Sequence, residues 1–146
     1  MKNLINTVVS TRAGLGITVI RVIVGIIFIA HGSQKLFGAF GGYGLEGTGQ
    51  WMESIGLTPG YLMALLSGSA EFFGGVAFVI GLLARPAAAV LIFLLGVAII
   101  SVHLANGLFM ANNGYEFALA LLGGAVAVLI EGAGKLSVDR AIAARV

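Results

Sequence analysis

The sequence predicts an all-α integral membrane protein, a four-helix transmembrane bundle whose antiparallel helices run up-down-up-down. Three observations predict it. Of 146 residues, 59% are hydrophobic and only 10% are charged, against about 25% charged in a soluble domain. Mean hydropathy is +1.07. The apolar residues gather into four stretches, 15–37, 61–83, 87–106 and 115–130, and about 20 apolar residues cross the hydrocarbon core of a bilayer. So little charge cannot coat a water-exposed surface. The whole chain, 1–146, reads as one transmembrane domain.

The first stretch follows the N-terminal charges. It is longer than a secretory signal core and has no small-residue cleavage site, so it is expected to stay as a signal anchor. A glycine-rich loop, 38–60, comes next, with eight glycines. Within it, residues 48–55 suit an interfacial helix with Trp51, Met52 and Ile55 towards lipid. The loop's other reading is a lid over a pocket. The second stretch is joined to the third by Ala84-Arg85-Pro86 alone, which demands a tight antiparallel hairpin. Pro86 suits the first turn of the third helix, where its missing N–H is not needed. Asn112-Asn113-Gly114 marks the turn before the fourth stretch. That stretch is short and either recruits Glu131 and Gly132 or thins the bilayer locally.

Four spans put both termini on one side. Lys2, Arg12, Arg21, Arg85, Lys135, Arg140 and Arg145 fall on or near that side, and only Lys35 on the other. The positive-inside rule then predicts a multi-pass protein of the plasma or inner membrane with both termini cytoplasmic. These few scattered cations suit contact with membrane lipids and give no sign of a nucleic-acid partner.

Glu71 interrupts the otherwise uncharged run from Tyr61 to Leu83. A carboxylate at that depth costs roughly 2.5–3.5 kcal/mol, and such residues face a partner or a cavity. On a helical wheel of the first stretch, Phe28, Lys35 and His31 lie at about −20°, −40° and −80° from Arg21, with Gly25 and Gly32 at about +40° and +20°. The glycines allow a neighbour to approach that polar side. Gly68, Glu71 and Gly75 form a similar close-packing face on the second helix. Counting about 1.5 Å per residue, His31 and His103 sit at similar depths near the outer side, and Glu71 lies close to the midplane. His31, Gln34, Lys35, His103, Glu116 and Glu71 are therefore expected to converge on an outward-facing pocket. Arg21 is expected to close it from below by pairing with Glu71. Each residue also has a plainer structural role: Arg21 and Lys35 snorkelling, Glu116 capping the fourth helix, the histidines as interfacial hydrogen-bonders.

Zero cysteines remove thiol chemistry, cysteine-ligated clusters and cysteine-rich zinc sites. No pattern marks a metal site, and no nucleotide fingerprint is present.

Several pieces together resemble the DoxX family of small four-helix membrane proteins. They are Arg21-x-x-x-Gly25-x-x-Phe28-x-x-His31-Gly32-x-Gln34-Lys35-Leu36-Phe37-Gly38, Glu71-Phe72-Phe73-Gly74-Gly75, and Gly81-Leu82-Leu83-Ala84-Arg85-Pro86-Ala87-Ala88. Glu116-x-x-Leu119-x-Leu121-Leu122 and Gly134-x-x-Ser137-x-Asp139 complete the set. Each piece is weak alone; their order and spacing carry the resemblance, which covers about 17–139. It implies a link to membrane oxidoreductase complexes or to resistance against quinones, catechols or oxidative stress, with no settled catalytic residues. The family pattern places polar residues at Arg21, Gln34, Lys35, Glu71, Arg85 and Glu116.

The leading expectation is a membrane component of a quinone-linked redox or detoxification system. Glu71, His31, His103, Lys35 and Glu116 would do the acid–base and electrostatic work. Arg21, Gln34 and the aromatic Phe28, Trp51 and Phe72 would bind a quinone ring. With no cofactor motif of its own, the chain would take electrons from a partner protein or a bound cofactor. Three alternatives stand beside this. One is a non-enzymatic anchor or assembly subunit completed by a partner protein or a second copy. Another is a b-type haem protein ligated by His31 and His103, which the resemblance does not imply. The last is a small proton-coupled transporter relaying through Glu71.

Overall fold

The structure, a computed structural model, describes residues 7–11 and 13–145. Lys2 and Arg12, counted above for orientation, and the start of the chain lie outside the described residues. Those residues are all helix, turn and loop, with no strand. Helix α1 is Leu15–Phe37, α2 Gly44–Ser54 and α3 Gly60–Ile80. Helix α4 begins at Ala84 and runs to Asn106, its α-helical part ending at Ala98. Helix α5 is Glu116–Glu131 and α6 is Val138–Ala143. Among the described residues, α1, α3 and α4 are long and apolar enough to cross a membrane. Helix α5 has 16 residues, about 24 Å at the α-helical rise, short of a full span.

Helix α1 keeps the predicted bounds. Its end is set by Gly38, which adopts φ 68° and returns its N–H to the Ser33 carbonyl, a glycine stop that bulkier residues resist. The second and third helices both shift towards the N-terminus. Helix α3 stops at Gly81, with φ 70°, and α4 starts three residues earlier than expected. The cause is distant in sequence. The buried Asp139 carboxylate accepts from the backbone N–H of Leu83 (2.7 Å) and of Ala84 (2.9 Å). Two of the donors that every helix start leaves orphaned are thereby satisfied, and Leu83 is held at φ 49°. Pro86 falls in the first turn of α4, as expected.

The tightest packing joins α1 to α3. A Cβ on Gly25 would lie 2.8 Å from the Gly75 carbonyl oxygen, and one on Gly32 would lie 2.8 Å from that of Gly68. The pairing of 25 with 75 and 32 with 68 makes the two helices antiparallel. Both predicted glycine faces meet here, backbone against backbone, as small residues permit in apolar helix pairs. Helix α4 touches α3 near their shared turn, where Gly74 meets Leu91. Phe28, Phe78, Leu91, Leu121 and Val128 fill the core among α1, α3, α4 and α5.

The glycine-rich loop contains a real helix, longer than the segment expected. Helix α2 lies on α3, with Gly49 seated against the backbone of Tyr61 and Gly60. The lipid-facing assignment is corrected: Met52 is buried, and Ile55 lies past the last turn. A helix docked on another turns its small and medium residues inward, whatever its amphipathic pattern suggests for an interface.

The glycines separate into packed and open ones, which gives a direct test. Gly32→Ala should destabilise the protein by about 2 kcal/mol or more, the range for overpacking a filled contact. Gly96→Ala, where an added Cβ meets nothing within 4 Å, should stabilise α4 by up to about 1 kcal/mol. Thermal unfolding in mild detergent measures both.

Candidate functional site

Among the described residues, the charged side chains divide between the two ends of the helices, and a cleft lies at one of them. At the α3–α4 turn, Arg21 is 1% exposed and spends its donors on backbone carbonyls. Its Nε donates to Ala133 (2.8 Å), one terminal nitrogen to Phe78 and Val79, and the other to Leu136 (2.7 Å). It closes the carbonyl end of α3, where partial negative charge collects, and ties the C-terminal segment to it. Arg85 does the same for α5, donating to the Leu129 (3.0 Å) and Ile130 (2.8 Å) carbonyls and to Ser10 (2.8 Å). The expected Arg21–Glu71 pair is therefore corrected. Arg21 sits opposite Gly81, a long way down α3 from Glu71.

Glu71 pairs with Lys35. The Lys35 Nζ donates to both carboxylate oxygens, and the two side chains are 22% and 13% exposed. The α1–α3 register brings them within reach: Lys35 lies one turn beyond Gly32 with its Cβ beside Gly68, and its long side chain runs back along α1 to meet Glu71, one turn on from Gly68. An ion pair in such surroundings needs both members, because one left alone is an uncompensated charge.

This pair lies in the wall of a cleft of about 960 Å³, at the upper end of ligand-site sizes. Of the residues expected in a pocket, His31, Gln34, Lys35, Trp51, Glu71 and His103 line it. Gln34 also donates to the Phe40 carbonyl at 3.4 Å. The His31 ring lies 6.2 Å from that of Phe117, centroid to centroid. His103 Nδ1 is 2.9 Å from the Asn113 carbonyl oxygen. A carbonyl only accepts, so Nδ1 is the donor of this contact.

Four expected residues are elsewhere. Arg21 is at the opposite end. Phe28 is packed into the core at 3% exposure, because the side of α1 it occupies is covered by neighbouring helices. Phe72 stands edge-on between Phe37 and Phe73, at 5.6 and 5.4 Å. Glu116 accepts from the Met110 N–H at 2.7 Å, bracing the loop before α5, a role different from the helix cap expected of it. Sequence reasoning in turn missed Tyr43, Ser67 and Asn113, which also line the cleft. It missed the π-helical turn Ile99–His103 as well, which shifts His103 from where an unbroken α-helix would place it. Such turns recur at functional sites, yet no residue pattern announces this one.

Fold and cleft define a class: a small all-helical membrane protein with, among the described residues, one ion pair between two helices, beside a mainly apolar cleft. The chain belongs to the DoxX family, which matches residues 16–104. It is 38% identical over 107 residues to "Putative oxidoreductase CatD" of Bacillus subtilis, a match covering 73% of each chain. It is 33% identical over 129 residues to inner membrane protein YqjF of Escherichia coli, covering 86% of this chain and 91% of that one. Inner membrane protein YphA of the same organism is 31% identical over 125 residues, covering 82% and 85%. No solved structure matches.

The separation of the two charge clusters is measurable. In a double-mutant cycle, Lys35→Met and Glu71→Gln should couple by about 1–3 kcal/mol, as residues in contact do. Arg21→Lys and Glu71→Gln should add to within about 0.5 kcal/mol, as independent sites do. Unfolding free energies in detergent supply both numbers.

Proposed function

We propose that this DoxX protein crosses the inner membrane four times, up-down-up-down, with both termini cytoplasmic and the chain forming one domain. Its cleft binds a quinone-type small molecule, and the protein serves a quinone-linked redox or quinone-detoxification system. Arg21, Arg85, Lys135, Arg140 and Arg145 lie towards the α3–α4 turn and Lys35 lies away from it, which supports the orientation. In this reading the 16-residue α5 spans by thinning the bilayer or by pairing with a partner protein or a second copy.

The observation that carries the reading is the Lys35–Glu71 pair, beside His31 and Gln34, in the wall of a mainly apolar cleft. A quinone needs hydrogen-bond donors at its oxygens and apolar or aromatic surface over its ring. Lys35 has three N–H donors; Glu71 takes two, and one is left for a quinone oxygen. Reduction adds two electrons and two protons and builds negative charge on the oxygens. An ammonium fixed at that point stabilises it, as preorganised donors do. Glu71 and His103 are the proton-exchanging groups on either side, and Trp51 covers the ring. The electrons come from a partner protein, since the chain has no cysteine for a cluster and no nucleotide fingerprint.

Trp51 is the one tryptophan of the chain and lines the cleft, so its fluorescence reports occupancy. A water-soluble, chainless quinone should quench it saturably in purified protein. Lys35→Met should weaken that binding about tenfold, the equivalent of losing one charge-assisted hydrogen bond of about 1.4 kcal/mol. Quenching that never saturates, or that ignores Lys35→Met, would leave the anchoring role as the better reading.

A further inference from the structure

Helices α3 and α4 leave their shared turn as neighbours and then separate. Close to that turn, Gly74 of α3 meets Leu91 of α4. In a closed antiparallel hairpin built on that contact, Glu71 would meet Leu94, Ser67 would meet Ala98, and Met63 would meet Val102. All six instead line the cleft. The cleft is therefore a groove between two helices that ought to touch. It runs about 12 Å along them, eight residues at the α-helical rise. Leu66 on α3 and Phe93 on α4 also line it, yet remain 56% and 71% exposed. They are the rims of a side opening that faces the surface these apolar helices turn to lipid.

The groove is chemically graded. Its inner wall, on α1 and α3, carries Lys35, Glu71 and His31. The facing stretch of α4 is Phe93, Leu94, Val97 and Ala98, without a polar side chain. A volume of about 960 Å³ far exceeds what one aromatic ring fills. A transmembrane helix laid in the groove would set apolar side chains against the ion pair and leave its remaining hydrogen-bonding capacity unmet, which is costly away from water.

Resting on the quinone reading above, we propose that the ligand is a chain-bearing amphiphile that enters from the bilayer between α3 and α4. Its polar ring stops at Lys35–Glu71, and its hydrocarbon chain leaves between Leu66 and Phe93. The opening thus selects for membrane-dissolved quinones over water-soluble ones, and Ala98 sets the width of the passage.

The test uses Ala98→Phe, which adds a phenyl ring to the chain's path without touching the ion pair. Purified protein in mild detergent is titrated with two quinones of the same ring, one chainless and one carrying a long isoprenoid chain, with Trp51 fluorescence as the readout. The wild type should bind the chain-bearing quinone at least tenfold tighter. Ala98→Phe should abolish that preference, and an unfolding temperature close to that of the wild type shows that the variant is folded. A photoreactive group on the chain should label α3 and α4 near Leu66 and Phe93. No preference in the wild type, a preference undiminished in Ala98→Phe, labelling of other helices, or labelling of a second copy seated in the groove would overturn the side entry. Failure of the chainless quinone to bind the wild type would instead overturn the quinone reading itself.

Discussion

The backbone contact between α1 and α3 is the constraint on which the rest of this structure depends. Gly25 lies on Gly75 and Gly32 on Gly68; a methyl group on Gly25, Gly32 or Gly75 would strike the facing backbone, and one on Gly68 would press on the Leu36 and Lys35 side chains. Two helices locked this closely cannot slide, so every polar group on them has a fixed opposite number. Arg21 is delivered to the carbonyl end of α3, and Lys35 is delivered to Glu71. Hydrophobic patterning alone would be satisfied by many registers, since lipid gives little preference between them; only the small residues single out one.

That register sorts the charges by task. At one end, Arg21, Arg85 and Asp139 do what water would otherwise do for helix termini, which expose four orphan donors or acceptors each. Asp139 joins the C-terminal segment to the α3–α4 turn, Arg21 joins the same segment to α1 and α3, and Arg85 joins α4 to α5. These three residues direct their hydrogen bonds to the backbone. The other end keeps one ion pair and two histidines beside an unfilled groove. Ionisable groups within apolar helices are usually functional, and here two kinds are visible: those bonded to backbone hold helix ends together, and Lys35 and Glu71 bond to each other in the cleft wall.

Much of this could be read from the residues. Glu71 stood out because nothing else in its run was charged, and the glycine faces on both helices were evident from spacing. Its partner was not read correctly. A helical wheel sets Arg21 and Lys35 on nearly the same side of α1, and it gives direction without height. Setting the two glycine faces in antiparallel register, 25 on 75 and 32 on 68, places Ile29 opposite Glu71, between Arg21 and Lys35; the choice fell to Lys35 because Arg21 is held by the carbonyls of Phe78, Val79, Ala133 and Leu136. Other features had no signal in the residue pattern. Asp139 acts on Leu83 and Ala84 from 56 and 55 residues away, so the helix boundary it sets is a tertiary fact. The π turn at Ile99–His103 and the splaying of α4 from α3 likewise depend on what packs against them, as does the inward turn of Met52. Glu116 and Phe72 had the right chemistry for the cleft, and their neighbours claimed them first.

The account's central claim is that the Lys35–Glu71 pair forms the polar head of a ligand cleft. A side-chain-resolution map of the protein in lipid nanodiscs, prepared with a short-chain quinone, tests it most directly. The account predicts planar density between α3 and α4 within hydrogen-bond reach of the Lys35 Nζ, with Glu71 still paired to it. Helices α3 and α4 packed together along their full length, with Lys35 turned out to the membrane surface and no density between them, would contradict it.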